Sequence, residues 1–282
     1  MTLFSSIVLG VIQGVTEFLP VSSSGHLAIA EQLFGMDGVS EIPAFFDVLL
    51  HLGTLAAVFV AYWDDIRAMV LELFRGIGDL SRRTVPHPLP SARRLILLIL
   101  VGTLPLFLVL PVKDAVEALG DNLYFVAGAL IFTGCLLFLC DHVAKGGKTE
   151  RDASFRDVLT VGIAQAIATC PGISRSGATI TAGCLAGFER TFAVRYSFLM
   201  SIPAILGANL LSLKDALEYG IVAEEIPLYL IGVVVAAVVG YACIRLLHMI
   251  ARRGKFGGFA VYCWAVGALT LVGTLVKNLG GV

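Results

Sequence analysis

The sequence predicts an all-α polytopic membrane protein, with six transmembrane helices plus two re-entrant helical hairpins in an inverted-topology repeat. Three observations predict it: the composition, six long apolar segments, and two similar polar breaks. Of the 282 residues, 57% are hydrophobic and 15% are charged, and the mean hydropathy is +0.89. Soluble domains are about 45–50% apolar and about 25% charged, so the apolar excess must face lipid. This composition excludes a nucleic-acid-binding, secreted or cytosolic protein.

Six apolar segments approach the length of a membrane span, which is about 20 residues for a helix. Each lacks internal Lys or Arg, apart from an edge residue. The predicted spans are Pro43–Tyr62, Leu95–Val112, Leu123–Cys140, Phe192–Leu213, Ile226–Leu247 and Gly257–Val276. Residues 64–92 contain Pro86, Pro88 and Pro90 and are predicted to be a cytoplasmic linker. The N-terminus lacks the basic region and cleavage site of a signal peptide, so we expect its residues to belong to the mature fold.

Two further apolar regions are each interrupted by a polar stretch. Ile7–Val21 runs into Ser22–Gly25, and Val158–Ile173 runs into Ser174–Gly177. Each half is too short to cross a bilayer. Irregular backbone at membrane depth survives only where it is buried in protein or lines a wet cavity. We therefore predict re-entrant hairpins over residues 1–36 and 157–188.

The two hairpin regions also resemble each other. A shift of 152 positions places Gly10 on Gly162, Gln13 on Gln165, Ser22 on Ser174, Ser24 on Ser176 and Gly25 on Gly177. Three predicted spans follow each region, and an odd number makes the second copy enter from the opposite face. The prediction is one membrane domain, 1–282, with a first repeat over 1–141 and a second over 155–282. Such repeats place their site near the midplane, where the broken helices meet.

Basic residues orient the predicted spans. Sixteen of the 20 Lys and Arg residues fall on one side of the membrane, and only Lys113, Lys214 and Lys277 fall on the other. Positive charge marks the cytoplasmic side. Both termini and the first hairpin are therefore predicted to face outward.

The first break contains a candidate anion site. Pro20 ends the first half-helix, and Ser22 is a good N-cap for the second. Free amide groups and the positive end of the helix dipole then favour an anion such as phosphate. Gln13 and Glu17 lie four residues apart and share one helix face.

Other ionisable residues at membrane depth need an explanation, because burying charge there is costly. Arg175, in the second break, suits phosphate binding. The alternative is a buried Arg175–Glu17 pair without a ligand. For Asp47 and His51, on the first span, a structural and a supporting role at the site both stay open.

Together these residue types suit phosphoryl transfer, in which a serine nucleophile needs a base that His26 or Glu17 can supply. No nucleotide-binding P-loop, zinc-protease or hydrolase-elbow motif is present. The alternative function is a lipid-phosphate flippase or transporter, because inverted repeats with broken helices are common in carriers.

The stretches Glu17–His26 and Pro171–Thr179 resemble the two signature motifs of the bacterial undecaprenyl-diphosphate phosphatase family, the bacitracin resistance proteins. The resemblance implies hydrolysis of undecaprenyl diphosphate to undecaprenyl phosphate and inorganic phosphate, which recycles the lipid carrier of peptidoglycan synthesis. It also implies a site between the two hairpins that opens to the outer face of the plasma membrane.

Roles carried over by the resemblance are Ser23 as nucleophile, His26 as acid or base, Glu17 as the essential carboxylate and Arg175 as the phosphate-binding cation. The residues predicted to bind substrate are Ser22, Ser24, Gly25, Ser174, Ser176, Gly177, Thr179 and Gln13. Many family members carry a glutamate where this chain has Gln13, and an amide oxygen is a poorer ligand for a hard cation. We therefore expect Mg²⁺ or Ca²⁺ to be held by the substrate phosphates and Glu17. The sequence leaves a homodimer open.

Overall fold

The computed structural model describes residues 1–34, 44–82, 84, 86–143, 145–219 and 223–280. Within these ranges the chain forms α-helices and short 3₁₀ turns, with no β-strand. The α-helices are α1 (Leu3–Phe18), α2 (Ser23–Phe34), α3 (Ala44–Ala61), α4 (Trp63–Arg82), α5 (Ser91–Thr103), α6 (Lys113–Glu117), α7 (Leu123–His142), α8 (Phe155–Ile167), α9 (Arg175–Leu185), α10 (Arg190–Tyr219), α11 (Ile226–Arg253) and α12 (Gly257–Gly280). Parts of four predicted elements lie outside the described residues: 35–36 of the first hairpin, Pro43 of the first span, 83 and 85 of the linker, and 220–222 and 281–282 of the second repeat.

Several helices are long and apolar enough to cross a membrane. In the described part of the chain there are five such segments: Ser91–Asp121, Leu123–His142, Arg190–Leu213, Ile226–Arg253 and Gly257–Leu279. A sixth is reached only by joining α3 to α4, and the chain bends by 84° between them. The protein is therefore an all-helical, multi-pass membrane protein with five or six candidate spans.

Two segments differ from their predicted form. The predicted linker at 64–92 is largely helical, because α4 occupies most of it. The predicted span Leu95–Val112 is an α-helix only as far as Thr103 and continues as 3₁₀ turns. Pro105 and Pro111 stand at the start of those turns. Proline has no amide hydrogen to donate to the preceding turn, and its ring crowds the carbonyl group four residues earlier, so each of these prolines disfavours a regular α-helix at its position.

The two predicted hairpin regions are pairs of short helices. Helices α1 and α2 have 16 and 12 residues, and α8 and α9 have 13 and 11. All are shorter than the roughly 20 residues that a crossing needs. At the breaks, Ser22 and Gly172 adopt positive φ angles of 73° and 90°. Positive φ is unfavourable for a residue with a side chain, so Ser22 is held by its surroundings.

Both breaks rest on one hydrophobic core. It includes Phe18 and Val21 at the first break, Ile180 on α9, and Phe198 on α10. The Phe18 and Phe198 rings meet edge to face at 5.4 Å between centroids. This core fixes the end of α1 against α10, and thereby places the two breaks beside each other.

Candidate active site

One buried carboxylate joins the two breaks. Glu17, 8% exposed, lies in the last turn of α1. Its Oε2 accepts hydrogen bonds from Ser23 Oγ at 2.8 Å and from Gln13 Nε2 at 3.2 Å. Its Oε1 accepts from the Arg175 guanidinium, which forms an ion pair with it. The predicted Arg175–Glu17 pair is thus present, and it holds the candidate nucleophile as well.

The helices that follow the breaks begin at equivalent serine caps. Ser22 Oγ accepts the Gly25 amide at 3.3 Å, as the sequence predicts for an N-cap. Ser174 Oγ accepts the Gly177 amide at 3.1 Å. Each helix therefore starts one residue after its cap, at Ser23 in one case and at Arg175 in the other. Both helix N-termini favour a bound anion.

Direct contacts hold the two breaks together. The Gly172 amide donates to Ser24 Oγ at 3.4 Å. A Cβ added at Gly25 would lie 3.0 Å from the Gly172 Cα, so the backbones meet closely there. Thr133 on α7 supports the same turn: its hydroxyl donates to the Gly172 carbonyl at 3.2 Å and accepts the Ser174 amide at 3.0 Å. Sequence reasoning missed Thr133, since a threonine inside an apolar span carries no distinguishing signal.

A cavity of about 560 Å³ opens at this junction. Six of the predicted site residues line it: Glu17, Ser22, Ser23, Ser24, Ser174 and Arg175. The other six, Gln13, Gly25, His26, Ser176, Gly177 and Thr179, are not among its lining residues. The cavity thus contains the carboxylate, the guanidinium and the Ser23 hydroxyl, while the remaining residues lie behind them.

The residues behind the cavity make structural contacts. Thr179 Oγ1 donates to the Arg175 carbonyl at 2.8 Å and lies 2.6 Å from Ser197 Oγ, linking α9 to α10. His26 has its Nδ1 2.7 Å from the Ser22 carbonyl oxygen and its Nε2 2.9 Å from the Tyr262 hydroxyl. Its ring stacks on Tyr262. The structure therefore places His26 between the first break and α12, and does not bring it into the cavity.

A different histidine faces Glu17. His51 and Asp47 both line the cavity. His51 Nε2 lies 4.0 Å from Glu17 Oε2, and His51 Nδ1 lies 3.7 Å from Asp47 Oδ2 and 3.0 Å from the Asp47 carbonyl oxygen. Of the two roles that the sequence leaves open for this pair, the geometry favours support of the site. Their four-residue spacing was a signal, but the face of α3 that turns toward α1 depends on tertiary packing.

The donor set does not fit a metal ion held by protein ligands alone. In the part of the chain that the structure describes, no group of three or more His, Cys, Asp or Glu side chains is placed to bind one. The predicted ligand, Glu17, already accepts hydrogen bonds from Ser23, Gln13 and Arg175. A cation carried in by the substrate stays a prediction, and no chemical step is assigned to it.

The arrangement brings together a hydroxyl, a carboxylate and a guanidinium, a set of groups that can supply a nucleophile, a base and a positive charge. A serine hydroxyl that donates to a carboxylate is set up to lose its proton to that carboxylate. A guanidinium and two helix N-termini beside it can stabilise the negative charge of a phosphoryl group in transfer.

Comparison with known proteins agrees with this chemistry. The pattern of the family "Bacitracin resistance protein BacA" matches residues 6–269. An undecaprenyl-diphosphatase of Desulforapulum autotrophicum is 41% identical over 280 residues, which cover 98% of this chain and 100% of that protein. Undecaprenyl-diphosphatases of Syntrophotalea carbinolica and Methanosphaera stadtmanae are 42% and 38% identical, over 95% and 97% of this chain and 98% and 99% of their own lengths. With identity this high along nearly the whole chain, the protein belongs to the BacA family of bacitracin resistance proteins.

Proposed function

We propose that the protein is an undecaprenyl-diphosphatase, which hydrolyses undecaprenyl diphosphate to undecaprenyl phosphate and inorganic phosphate. The observation that carries the proposal is the Glu17 carboxylate, bound at once to Ser23 and Arg175 in a cavity at the junction of two helix N-termini. The names of the relatives favour hydrolysis over transport of the lipid. The product is the lipid carrier that peptidoglycan synthesis reuses, and its recycling accounts for bacitracin resistance.

In the proposed reaction, Arg175 and the amides at the two helix N-termini bind the terminal phosphate. Ser23 Oγ attacks its phosphorus while the hydroxyl proton passes to Glu17 Oε2. The bond from that phosphorus to the bridging oxygen breaks, and undecaprenyl phosphate leaves with the electron pair. Water then attacks the phosphoserine, Glu17 returns its proton to Ser23 Oγ, and phosphate leaves with both water protons.

Two histidines take different roles in this proposal. His51, 4.0 Å from Glu17 Oε2 and next to Asp47, supports the charge of the catalytic carboxylate. His26 holds the first break through the Ser22 carbonyl. Mass spectrometry of acid-quenched enzyme tests the covalent step. A fully active enzyme with no phosphate on Ser23 would instead indicate direct attack by water that Glu17 activates.

The lipid tail needs an apolar path from the cavity to the bilayer. Phe107, Leu110 and Leu210 line the cavity, and they are 62%, 47% and 74% exposed. They belong to the 3₁₀ region after α5 and to α10, so we place the tail between these two elements. Lys113 and Glu117 also line the cavity. The distribution of basic residues puts them on the outer side, which supports a cavity that opens to the outer face of the plasma membrane.

For the membrane arrangement we propose six spans and two re-entrant hairpins, with inverted repeats over 1–141 and 155–282. The packing between the two proposed repeats supports it, because the first helix of each repeat packs against a helix of the other: α1 against α11, and α8 against α5. The glycine contacts match as well. A Cβ on Gly10 would lie 2.6 Å from the Gly232 carbonyl oxygen, and one on Gly162 would overlap the Gly102 carbonyl oxygen. Gly10 and Gly162 are equivalent under the 152-residue shift.

The proposal is tested with detergent-solubilised protein and a prenyl diphosphate. We expect release of inorganic phosphate by the wild type and its loss in Ser23→Ala, Glu17→Ala and Arg175→Ala. Near-native release by all three variants would refute the site. Scrambling of labelled lipid in liposomes without phosphate release would favour the flippase. Chemical cross-linking in the membrane tests the homodimer.

A further inference from the structure

Gln165 is a buried residue whose side chain has no hydrogen-bond partner in the described part of the chain. It lies on α8, is 1% exposed, and neither its Nε2 nor its Oε1 is paired. Buried polar groups almost always have partners, because an unpaired one costs free energy. A fully unpaired buried amide therefore needs an explanation.

The position of Gln165 supplies one. Within the described residues, four buried side-chain polar atoms are unpaired, on Gln13, Arg93 and Gln165. Of these three residues, only Gln165 lines the cavity that contains Glu17, Ser23 and Arg175. Gln165 therefore belongs to the wall of the cavity in which the diphosphate is proposed to bind.

Comparison with the other half of the molecule sharpens the point. Gln13, the equivalent of Gln165, donates to Glu17 one helical turn further on. In the second half the corresponding position is Thr169, whose hydroxyl donates to the Ala166 carbonyl at 2.7 Å. The second half therefore has no carboxylate to accept from its buried glutamine. An oxygen atom of a ligand can accept this hydrogen bond instead.

We propose that Gln165 is a phosphate-binding residue of this enzyme. Its Nε2 donates to a non-bridging oxygen of the diphosphate, and its Oε1 accepts from the water that hydrolysis consumes. The inference rests on the proposed function of the same cavity. It adds a neutral donor, which is useful because the Arg175 charge is already shared with Glu17.

Substitution by an apolar residue of similar size separates binding from packing. In Gln165→Leu we expect kcat/KM to fall about 10- to 100-fold, mainly through KM, as when a site loses a hydrogen bond to its substrate. The unfolding temperature should stay equal or rise, because leucine removes two unpaired polar atoms. Gln165→Met serves the same purpose if the leucine variant folds poorly. Gln165→Glu should lose more activity than leucine at pH 8, because a carboxylate repels phosphate.

The matched control is Gln32→Leu. Gln32 donates to the Gly120 carbonyl at 3.1 Å and does not line the cavity. This variant should lose stability and keep its kinetic constants.

Binding of inorganic phosphate distinguishes failure of this inference from failure of the proposed function. Phosphate should raise the unfolding temperature of the wild type and of Gln32→Leu, and raise that of Gln165→Leu much less. Equal stabilisation of all three, or a Gln165→Leu enzyme within threefold of wild-type kcat/KM, would overturn the role of Gln165. A wild type that binds phosphate through Gln165 but releases none from the lipid would refute only the proposed hydrolysis.

Discussion

Replacing Glu17 by glutamine should separate substrate binding from catalysis. The change keeps the size of the side chain but removes the negative charge of the carboxylate. That carboxylate forms the ion pair with Arg175 and accepts the hydrogen bond from Ser23. A general base contributes about 10²- to 10⁴-fold to the rate. Because Ser23 already lies 2.8 Å from the carboxylate, we expect kcat to fall about 10³-fold, or about 4 kcal/mol.

The same substitution should lower KM. In the resting enzyme Glu17 competes with the substrate phosphate for Arg175, and glutamine no longer competes. Without ligand the variant loses stability, because breaking a buried ion pair costs about 3–5 kcal/mol. The Arg175 side chain is 22% exposed, so the lower end of that range applies. Added phosphate should restore part of the stability by neutralising Arg175.

Initial rates of phosphate release from a prenyl diphosphate in detergent measure both constants. Glu72→Gln is a matched control, since Glu72 pairs with Arg93 near the surface and does not line the cavity. It should lose stability without losing kcat. If Glu17 acts through Ser23, the double variant Ser23→Ala/Glu17→Gln should have a kcat only slightly below that of Ser23→Ala alone. A Glu17→Gln enzyme with kcat within tenfold of wild type would refute the assignment of the base.

Three further outcomes are expected. His26→Gln should lower phosphate release much less than Ser23→Ala, because His26 does not line the cavity; equal losses in the same assay would contradict this. Gly162→Ala should lower the free energy of unfolding by about 1–3 kcal/mol, because the added Cβ would overlap the Gly102 carbonyl oxygen. Gly128→Ala, whose added Cβ has no neighbour within 4 Å, should leave the free energy of unfolding unchanged or raise it. Thermal unfolding in detergent compares the two, and equal stability would argue against the close packing of α8 on α5. EDTA should abolish activity and Mg²⁺ or Ca²⁺ should restore it, if the cation enters with the substrate; full activity after chelation would refute that expectation.

Local chemistry in the sequence was sufficient to predict the two broken helices. Pro20 and the Ser22 cap define the first break through interactions within a few residues, and both appear where predicted. The ion pair between Glu17 and Arg175 was also open to prediction, because the 152-residue shift aligns the two breaks and predicts that they lie together. These features depend on short-range rules and on one symmetry relation.

Features set by tertiary packing could not be predicted in the same way. His51 lines the cavity and His26 does not, although His26 belongs to the first signature motif and His51 lies outside both motifs. Which face of α3 meets α1 depends on contacts between distant segments. Helix α4 was missed because its polar side chains make residues 64–82 too hydrophilic for a span, and a low hydropathy does not distinguish a surface helix from a linker.

In the proposed mechanism, the differences between the two halves of the chain matter more than their similarity. Under the 152-residue shift, Glu17 corresponds to Thr169 and Ser23 corresponds to Arg175, while the serine caps are shared. A second carboxylate at 169 would repel the first and the entering phosphate, and a second arginine at 23 would remove the nucleophile. The shared caps supply two helix N-termini that attract an anion from either half. In the proposed mechanism the unlike residues supply one base, one nucleophile and one cation, which gives the proposed pair of repeats a single direction of attack.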